Sequence, residues 1–184
     1  MQFRLFGVMR AAFGGYIQVP VPITVTLDTS VSPPETVTAS VPADKFEFVV
    51  VSVTDRETAG TSFQVRFSPL SRIGETGVYG ESTFGSAVYG GKDDAQCLEA
   101  VLAIISHKGF PKPSQRDALT PGQRRQLRDA MIFCAHVREN REVFVTNDKN
   151  AFIDDGRREM LEKLFNTRIM KPAEFIAAHG TPKR

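Results

Sequence analysis

Residues 123–146, QRRQLRDAMIFCAHVRENREVFVT, decide the fold class. The spacing predicts a helix over Gln123–Glu139: Leu127, Ala130, Met131 and Cys134 form one apolar stripe, while Gln126, Ile132, Phe133 and His136 share the face of Asp129. A helix apolar over so much of its circumference belongs in a core. Thr120-Pro121 opens it with a capping residue followed by proline at the first helical position. The run Glu142–Thr146 (EVFVT) then reads as a short buried strand, and the alternation repeats downstream. A helix is expected over Gly156–Phe165, with Met160, Leu161, Leu164 and Phe165 on one face, then a strand at Arg168–Met170 and a helix over Pro172–Ala178. Helices alternating with short buried strands imply an α/β fold with a mainly parallel sheet.

Working upstream, Leu98, Val101, Leu102 and Ile105 put a helix over Asp93–His107, which Gly109 and Pro111 stop. Between Gly60 and Gly91 the texture changes. Ser62–Phe67 is strand-like, and an imperfect pair, Val78-Tyr79-Gly80 and Val88-Tyr89-Gly90, flanks Glu81–Ala87, so 60–91 reads as a glycine-rich insertion rich in β-hairpin with Glu81 in solvent. It holds no strand-to-helix phosphate loop. Ile23–Leu27 (ITVTL) and Phe46–Thr54 (FEFVVVSVT) are β-branched strand candidates, and Ser32-Pro33-Pro34-Glu35 is suited to open a short helix. Residues 1–20 read as an N-terminal arm in which Arg4 and Arg10 break an apolar stretch far short of the ~18 residues that span a bilayer.

With 184 residues the expectation is one domain over 1–184, because chains divide into separate cores mainly above ~250 residues. The charge balance, 23 basic against 21 acidic residues, is too even to signal a polyanion partner by net charge, so any such partner must be met by a local patch. Cys97 and Cys134 lie far apart in no C-x-x-C pairing, which suggests neither a zinc knuckle nor a disulfide framework and suits a reducing cytoplasm away from membranes. The three histidines, His107, His136 and His179, are isolated, and His136 reads as a satisfied core or rim residue.

The carboxylates carry the chemical signal. Asp129 sits on a helix expected to be buried, where an unpaired charge is costly, so it calls for an i−4 ion pair with Arg125 or for a metal. Asp148 follows the Glu142–Thr146 strand, and ligands of parallel α/β sheets bind outside the carboxyl ends of the strands. Asp28 and the Asp55-Arg56-Glu57 segment likewise follow strand-like runs. Convergence of such acids would make an all-oxygen site suited to Mg²⁺ or Mn²⁺. Asp154 and Asp155 precede a helix as N-caps and remain, with Asp55, secondary candidates. Lys149, Arg157 and Arg158 form one basic cluster near these acids, and Arg124, Arg125 and Arg128 another.

Three ordered stretches carry a family resemblance: Leu127–Ile132 (LRDAMI), Val143–Phe152 (VFVTNDKNAF) and Thr167–Phe175 (TRIMKPAEF). Together they resemble the C-terminal half of PIN-domain proteins, most clearly over residues 123–178, and Ile23–Val31 (ITVTLDTSV) is similar to that family's first strand and acid. The resemblance implies a three-layer α/β/α fold and a Mg²⁺- or Mn²⁺-dependent endoribonuclease. Asp28, Glu57, Asp129 and Asp148 would then be the catalytic acids, with Asp28, Asp129 and Asp148 as metal ligands. Asp55 competes with Asp28 for the first place. Thr146 and Asn147 would orient the acids or the water, and Lys149, Arg157 and Arg158 would meet RNA. The family also admits inactive RNA-binding or protein-interaction modules, toxins held by an inhibitory antitoxin-like protein, and homodimers. The stretch 60–91 departs from the helices a small PIN domain has there.

Overall fold

The computed structural model describes residues 7–10, 16–19, 21–83, 85–106 and 109–180. Strands β1 (Gly7–Arg10) and β2 (Tyr16–Val19) pair antiparallel, and the rest of the expected 1–20 arm lies outside the described residues, as does His107. The chain then runs β3 (Ile23–Leu27), α1 (Glu35–Thr38), β4 (Phe46–Val51), α2 (Val53–Thr58), α3 (Gln64–Phe67), β5 (Ser71–Ile73), β6 (Glu75–Thr76), β7 (Ala87–Val88) and α4 (Lys92–Ile105). It continues through α5 (Pro121–Arg138), β8 (Val143–Val145), α6 (Arg157–Phe165), β9 (Arg168–Met170) and α7 (Pro172–His179).

Five strands form one all-parallel sheet in the order β5-β4-β3-β8-β9. Strand pleating sends alternate residues to opposite faces. Phe144 of β8 and Ile169 of β9 therefore join a core with Leu102 of α4, Met131 and Phe133 of α5 and Leu161 of α6. Val143, Val145 and Met170 join a second core with Val25, Leu27, Val37 of α1, Phe67 of α3 and Phe175 of α7. Helices thus cover both faces, giving three layers, α/β/α. In the first core the Phe133 ring meets Phe144 edge-on at 5.2 Å and stacks near Phe152 at 5.7 Å. Each such buried ring contributes roughly 1.5–3 kcal/mol by leaving water.

Helix α5 is fixed at its start. The Thr120 hydroxyl accepts from the Gln123 N–H, the Gln123 side chain accepts from the Thr120 N–H, and Pro121 occupies the first turn. His136 on its inner side is fully buried, with Nδ1 3.0 Å from the Thr26 hydroxyl and Nε2 2.6 Å from that of Thr167. Burial drops its pKa to about 3, so it is a neutral core residue.

Four expectations about the first half are corrected. The strand expected over Phe46–Thr54 ends at Val51, and Val53–Thr58 turns helical, burying Val53, Thr54 and Thr58. Within 60–91 the strand-like Ser62–Phe67 contains helix α3, and Phe67 is buried in the second core. No hairpin forms among the described residues of this stretch. β5 extends the main sheet, while β6 and β7 pair parallel, so the repeated Val-Tyr-Gly segments do not face each other as a hairpin would require. The Tyr89 ring instead covers Gly77, where a Cβ would come within 2.6 Å of it. Glu81, expected in solvent, has a side chain only 5% exposed, ion-paired with Arg124 and, at 3.5 Å, with Arg128. No helix among the described residues is long and apolar enough to cross a membrane.

Candidate functional site

All five strands of the main sheet direct their carboxyl ends to one edge, and the order switches direction between β3 and β8. From β3 the chain moves outward through β4 to β5, then returns to β3's other side with β8 and β9. A crevice opens outside such a switch point because the connections leave in opposite directions. Leu27 pairs with Val145 across it, and the Asp28 N–H extends the ladder to the Val145 carbonyl at 3.0 Å. The residues after the two strands are therefore brought side by side.

A small hydroxyl network holds them. The Ser30 and Thr146 hydroxyls both donate to Oδ2 of Asp28, the latter at 2.7 Å. The Asn147 backbone N–H donates to the Ser30 hydroxyl at 2.9 Å and its side-chain amide to the Ser30 carbonyl at 3.2 Å. The Asp148 N–H donates to the Thr146 hydroxyl at 2.9 Å. Oδ1 of Asp148 accepts from the Ala151 N–H at 2.8 Å, capping a π-helical turn over Lys149–Ile153 and leaving Oδ2 to face other partners. Thr146 thus braces one acid and positions the backbone of the next.

Glu57 enters from α2 and Asp129 from α5. With Asp28 and Asp148 they line one cleft of about 410 Å³, completed by Thr29, Ser30, Pro121, Arg125 and Arg128. Four carboxylates face two guanidinium groups. Burial holds Asp129 well above the usual carboxylate range, and the charges of Asp28, Asp148 and Glu57 push it the same way, against Arg125. Asp28 is 4% exposed and also raised by burial, aided by Asp148 and opposed by its bonds from Ser30 and Thr146. Burial raises Glu57 too, with Asp28 assisting and the Thr29 hydroxyl, Arg128 and Arg125 opposing. Desolvation is the common cause, and repulsion among the acids adds to it. The i−4 alternative for Asp129 is absent from the described ion pairs, where Arg128 turns to Glu81 and Arg125 to no carboxylate.

An all-oxygen donor set on separate elements, each acid disfavouring its neighbour's charge, suits a hard divalent cation better than any other counter-charge at hand. Among the described residues no three acidic, imidazole or thiol side chains are already closed around a single point as a finished cage. The four acids line a common space without converging on one point.

Other nominated residues lie elsewhere. Asp55 is exposed and pairs with Arg72 at 2.9 Å, so Glu57, one helical position beyond Arg56, supplies the acid from this segment. Asp154 and Asp155 are exposed and cap nothing with their side chains: α6 begins from Gly156 in the left-handed region, φ 75°, and Asp155 pairs with Arg157 at 3.1 Å. Two of the basic trio are engaged elsewhere in the fold. Arg157 is 5% exposed and bonds the Ile104 and Asp154 carbonyls, and Arg158 pairs with Glu174 at 2.9 Å, so both serve packing. Lys149 is exposed on the π-helical turn outside the cleft lining. The cations that line the cleft are Arg125 and Arg128. Ser30 and Thr29 were not singled out in the sequence. Their signal is the Asp-Thr-Ser order itself, since hydroxyls one and two residues after a strand-end acid can turn back onto it.

Comparison of the chain with protein-family models, with curated proteins and with solved structures finds no match.

Proposed function

We propose that the chain is a divalent-metal-dependent endoribonuclease of PIN-like type, hydrolysing RNA phosphodiester bonds in the cleft between β3 and β8. The observation that carries this reading is the lining of that cleft by Asp28, Glu57, Asp129 and Asp148, drawn from four separate parts of the chain. RNA as substrate and the PIN-like kinship come from the motif order over residues 123–178 and from Ile23–Val31.

Asp28, Asp129 and Asp148 would hold Mg²⁺ or Mn²⁺, with Glu57 completing the acid set. A bound divalent cation lowers the pKa of coordinated water and neutralises charge on the phosphoryl oxygens. This chain's residues do the rest. Ser30 and Thr146 fix the rotamer of Asp28 through Oδ2, and the Ala151 N–H fixes that of Asp148 through Oδ1. Arg125 and Arg128 of α5 offer planar cationic forks to phosphate oxygens. Glu57, raised by burial, retains a proton at higher pH than a free glutamate and can hydrogen-bond a phosphate or a leaving oxygen.

RNA cleavage is compared in Mn²⁺, in excess chelator and with Asp148→Asn. Mn²⁺-dependent cleavage is expected, abolished by chelator and reduced about 10²–10³-fold in the variant, the scale of losing one preorganised electrostatic partner of the transition state. Cleavage that survives chelation, or full activity in a folded Asp148→Asn protein, overturns the proposal.

A further inference from the structure

Away from the acid cleft, the packing of α4 on α5 brings together the only two cysteines of the chain. Cys97 and Cys134 are 37 residues apart in sequence, and their Sγ atoms are 2.9 Å apart. Both are free thiols. The gap exceeds the ~2.05 Å of a disulfide by less than ~1 Å, a closure within reach of side-chain rotation. Their spacing in the sequence carries no sign of this proximity, which the packing of α4 on α5 alone creates.

The two sulfurs differ in access. Cys97 is half-buried at the edge of the first core, while Cys134 is 1% exposed within it. Their acidities differ in the same sense. Hydrogen bonding to Cys134 lowers the Cys97 thiol below its ordinary value despite burial and Asp94, whereas burial pushes the Cys134 thiol well up. The reachable sulfur is thus the better thiolate, and the sheltered one waits beside it. Zinc is not the better occupant: the described residues offer no third acidic, imidazole or thiol ligand to join the pair.

We propose that Cys97 and Cys134 form a reversible dithiol–disulfide site, in which Cys97 reacts first with a low-molecular-weight disulfide and Cys134 resolves the adduct. In the first step the Cys97 thiolate attacks one sulfur of the small disulfide, forming a mixed disulfide and expelling one small thiolate. In the second, Cys134 loses its proton to solvent and attacks Cys97 Sγ, forming the intramolecular bond and expelling the second small thiolate. The protein loses two electrons and the small disulfide gains them. The closed bond pins α4 to α5, the helix that carries Arg125, Arg128 and Asp129. This site stands independently of the nuclease reading.

The full-length chain is equilibrated in glutathione mixtures from fully reduced to fully oxidised, quenched in acid, denatured, alkylated with N-ethylmaleimide and weighed intact. The reduced protein is expected to take two adducts. The oxidised protein should take none, be about 2 Da lighter than the unmodified reduced chain and yield a Cys97–Cys134 linked peptide. Cys134→Ser should stop at a glutathione adduct on Cys97, and Cys134→Ala serves if serine disturbs the core. Cys97→Ser should keep Cys134 free of glutathione in the folded protein. The proposal fails if the wild type keeps two alkylatable thiols at every ratio, accumulates a persistent glutathione adduct, or links only between two chains.

Discussion

Helix α5 separates two charged regions that treat their acids in opposite ways. On the side of the glycine-rich stretch, three glutamates are paired with arginine. Glu81 pairs with Arg124 and Arg128, Glu99 with Arg116 at 2.8 Å, and the fully buried Glu75 receives Arg56 at 2.7 and 2.8 Å. The Glu81–Arg124 and Glu99–Arg116 pairs line a second cavity of about 440 Å³ together with Asp94, Asp117 and the apolar Leu98, Leu119 and Leu127. On the β3/β8 side, four acids share a cleft with two arginines, and one of those, Arg128, is partly committed to Glu81. Paired acids fasten elements together; an excess of unpaired acids raises its own pKa values and leaves a demand for positive charge. Each cavity is lined by four acids and two arginines; what distinguishes the β3/β8 cleft is that none of its four acids joins a described ion pair and three of them have raised pKa values, whereas Glu81 and Glu99 are paired.

The largest effect should come from breaking a paired acid. Glu75→Gln leaves the Arg56 guanidinium, whose Nε and Nη2 already lack partners, without its counter-charge. A loss of about 3 kcal/mol is expected, near the lower end for breaking a buried pair because Arg56 is 22% exposed. A urea midpoint unchanged from wild type would remove the distinction between the two regions.

The unpaired region should respond to metal instead. Because the raised acids bind protons more tightly when folded, their contribution favours folding at low pH and is lost as pH rises through their folded values. At neutral pH they are a cost that, on the proposed reading, a divalent cation would relieve. Mn²⁺ at a hundredfold over its dissociation constant should add about 2.7 kcal/mol, or about 5–10 °C in melting temperature, and Asp129→Asn should lose most of that shift. An equal shift in the variant would place the ion elsewhere.

His136 offers a third solution on the same helix: it stays neutral between two hydroxyls. Its folded pKa, near 3, lies below the unfolded 6.5, so the unfolded state binds the proton first and stability falls as pH drops below 6.5. About 2 kcal/mol should be lost between pH 7 and pH 5, the equivalent of roughly 1.5 pK units. His136→Gln should show a shallower acid limb in chemical denaturation, the acid cleft being common to both proteins. Parallel limbs would mean that the imidazole titrates normally.

The C-terminal half was legible because its signals are local. The Leu127 and Ala130 stripes, the Thr120-Pro121 start and the EVFVT run each follow from spacing and capping within a few residues. Asp129 and Asp148 were legible for the same reason, one from its helix face and one from its strand end. The 60–91 stretch was misread because β5 pairs with β4, and β6 with β7, in parallel. Parallel pairing joins segments through a crossover and leaves no turn signature between adjacent strands. Arg157 looked like a phosphate contact since a guanidinium before a helix opposes the dipole; it is buried against α4 carbonyl and loop groups instead.

By itself the sequence determined the element types of the C-terminal half, the parallel α/β class, and which acids fall at strand ends or on the buried helix. Tertiary structure alone decided three matters. It placed β3 beside β8, so that Asp28 and Asp148 face one cleft. It chose Asp28 over Asp55, because Asp28 lines the cleft beside Glu57 while α2 turns Asp55 toward Arg72. It set Cys97 against Cys134 through the packing of α4 on α5. In each case the interaction joins residues distant along the chain, where periodicity and capping, which act over a few residues, carry no information about which partner is met.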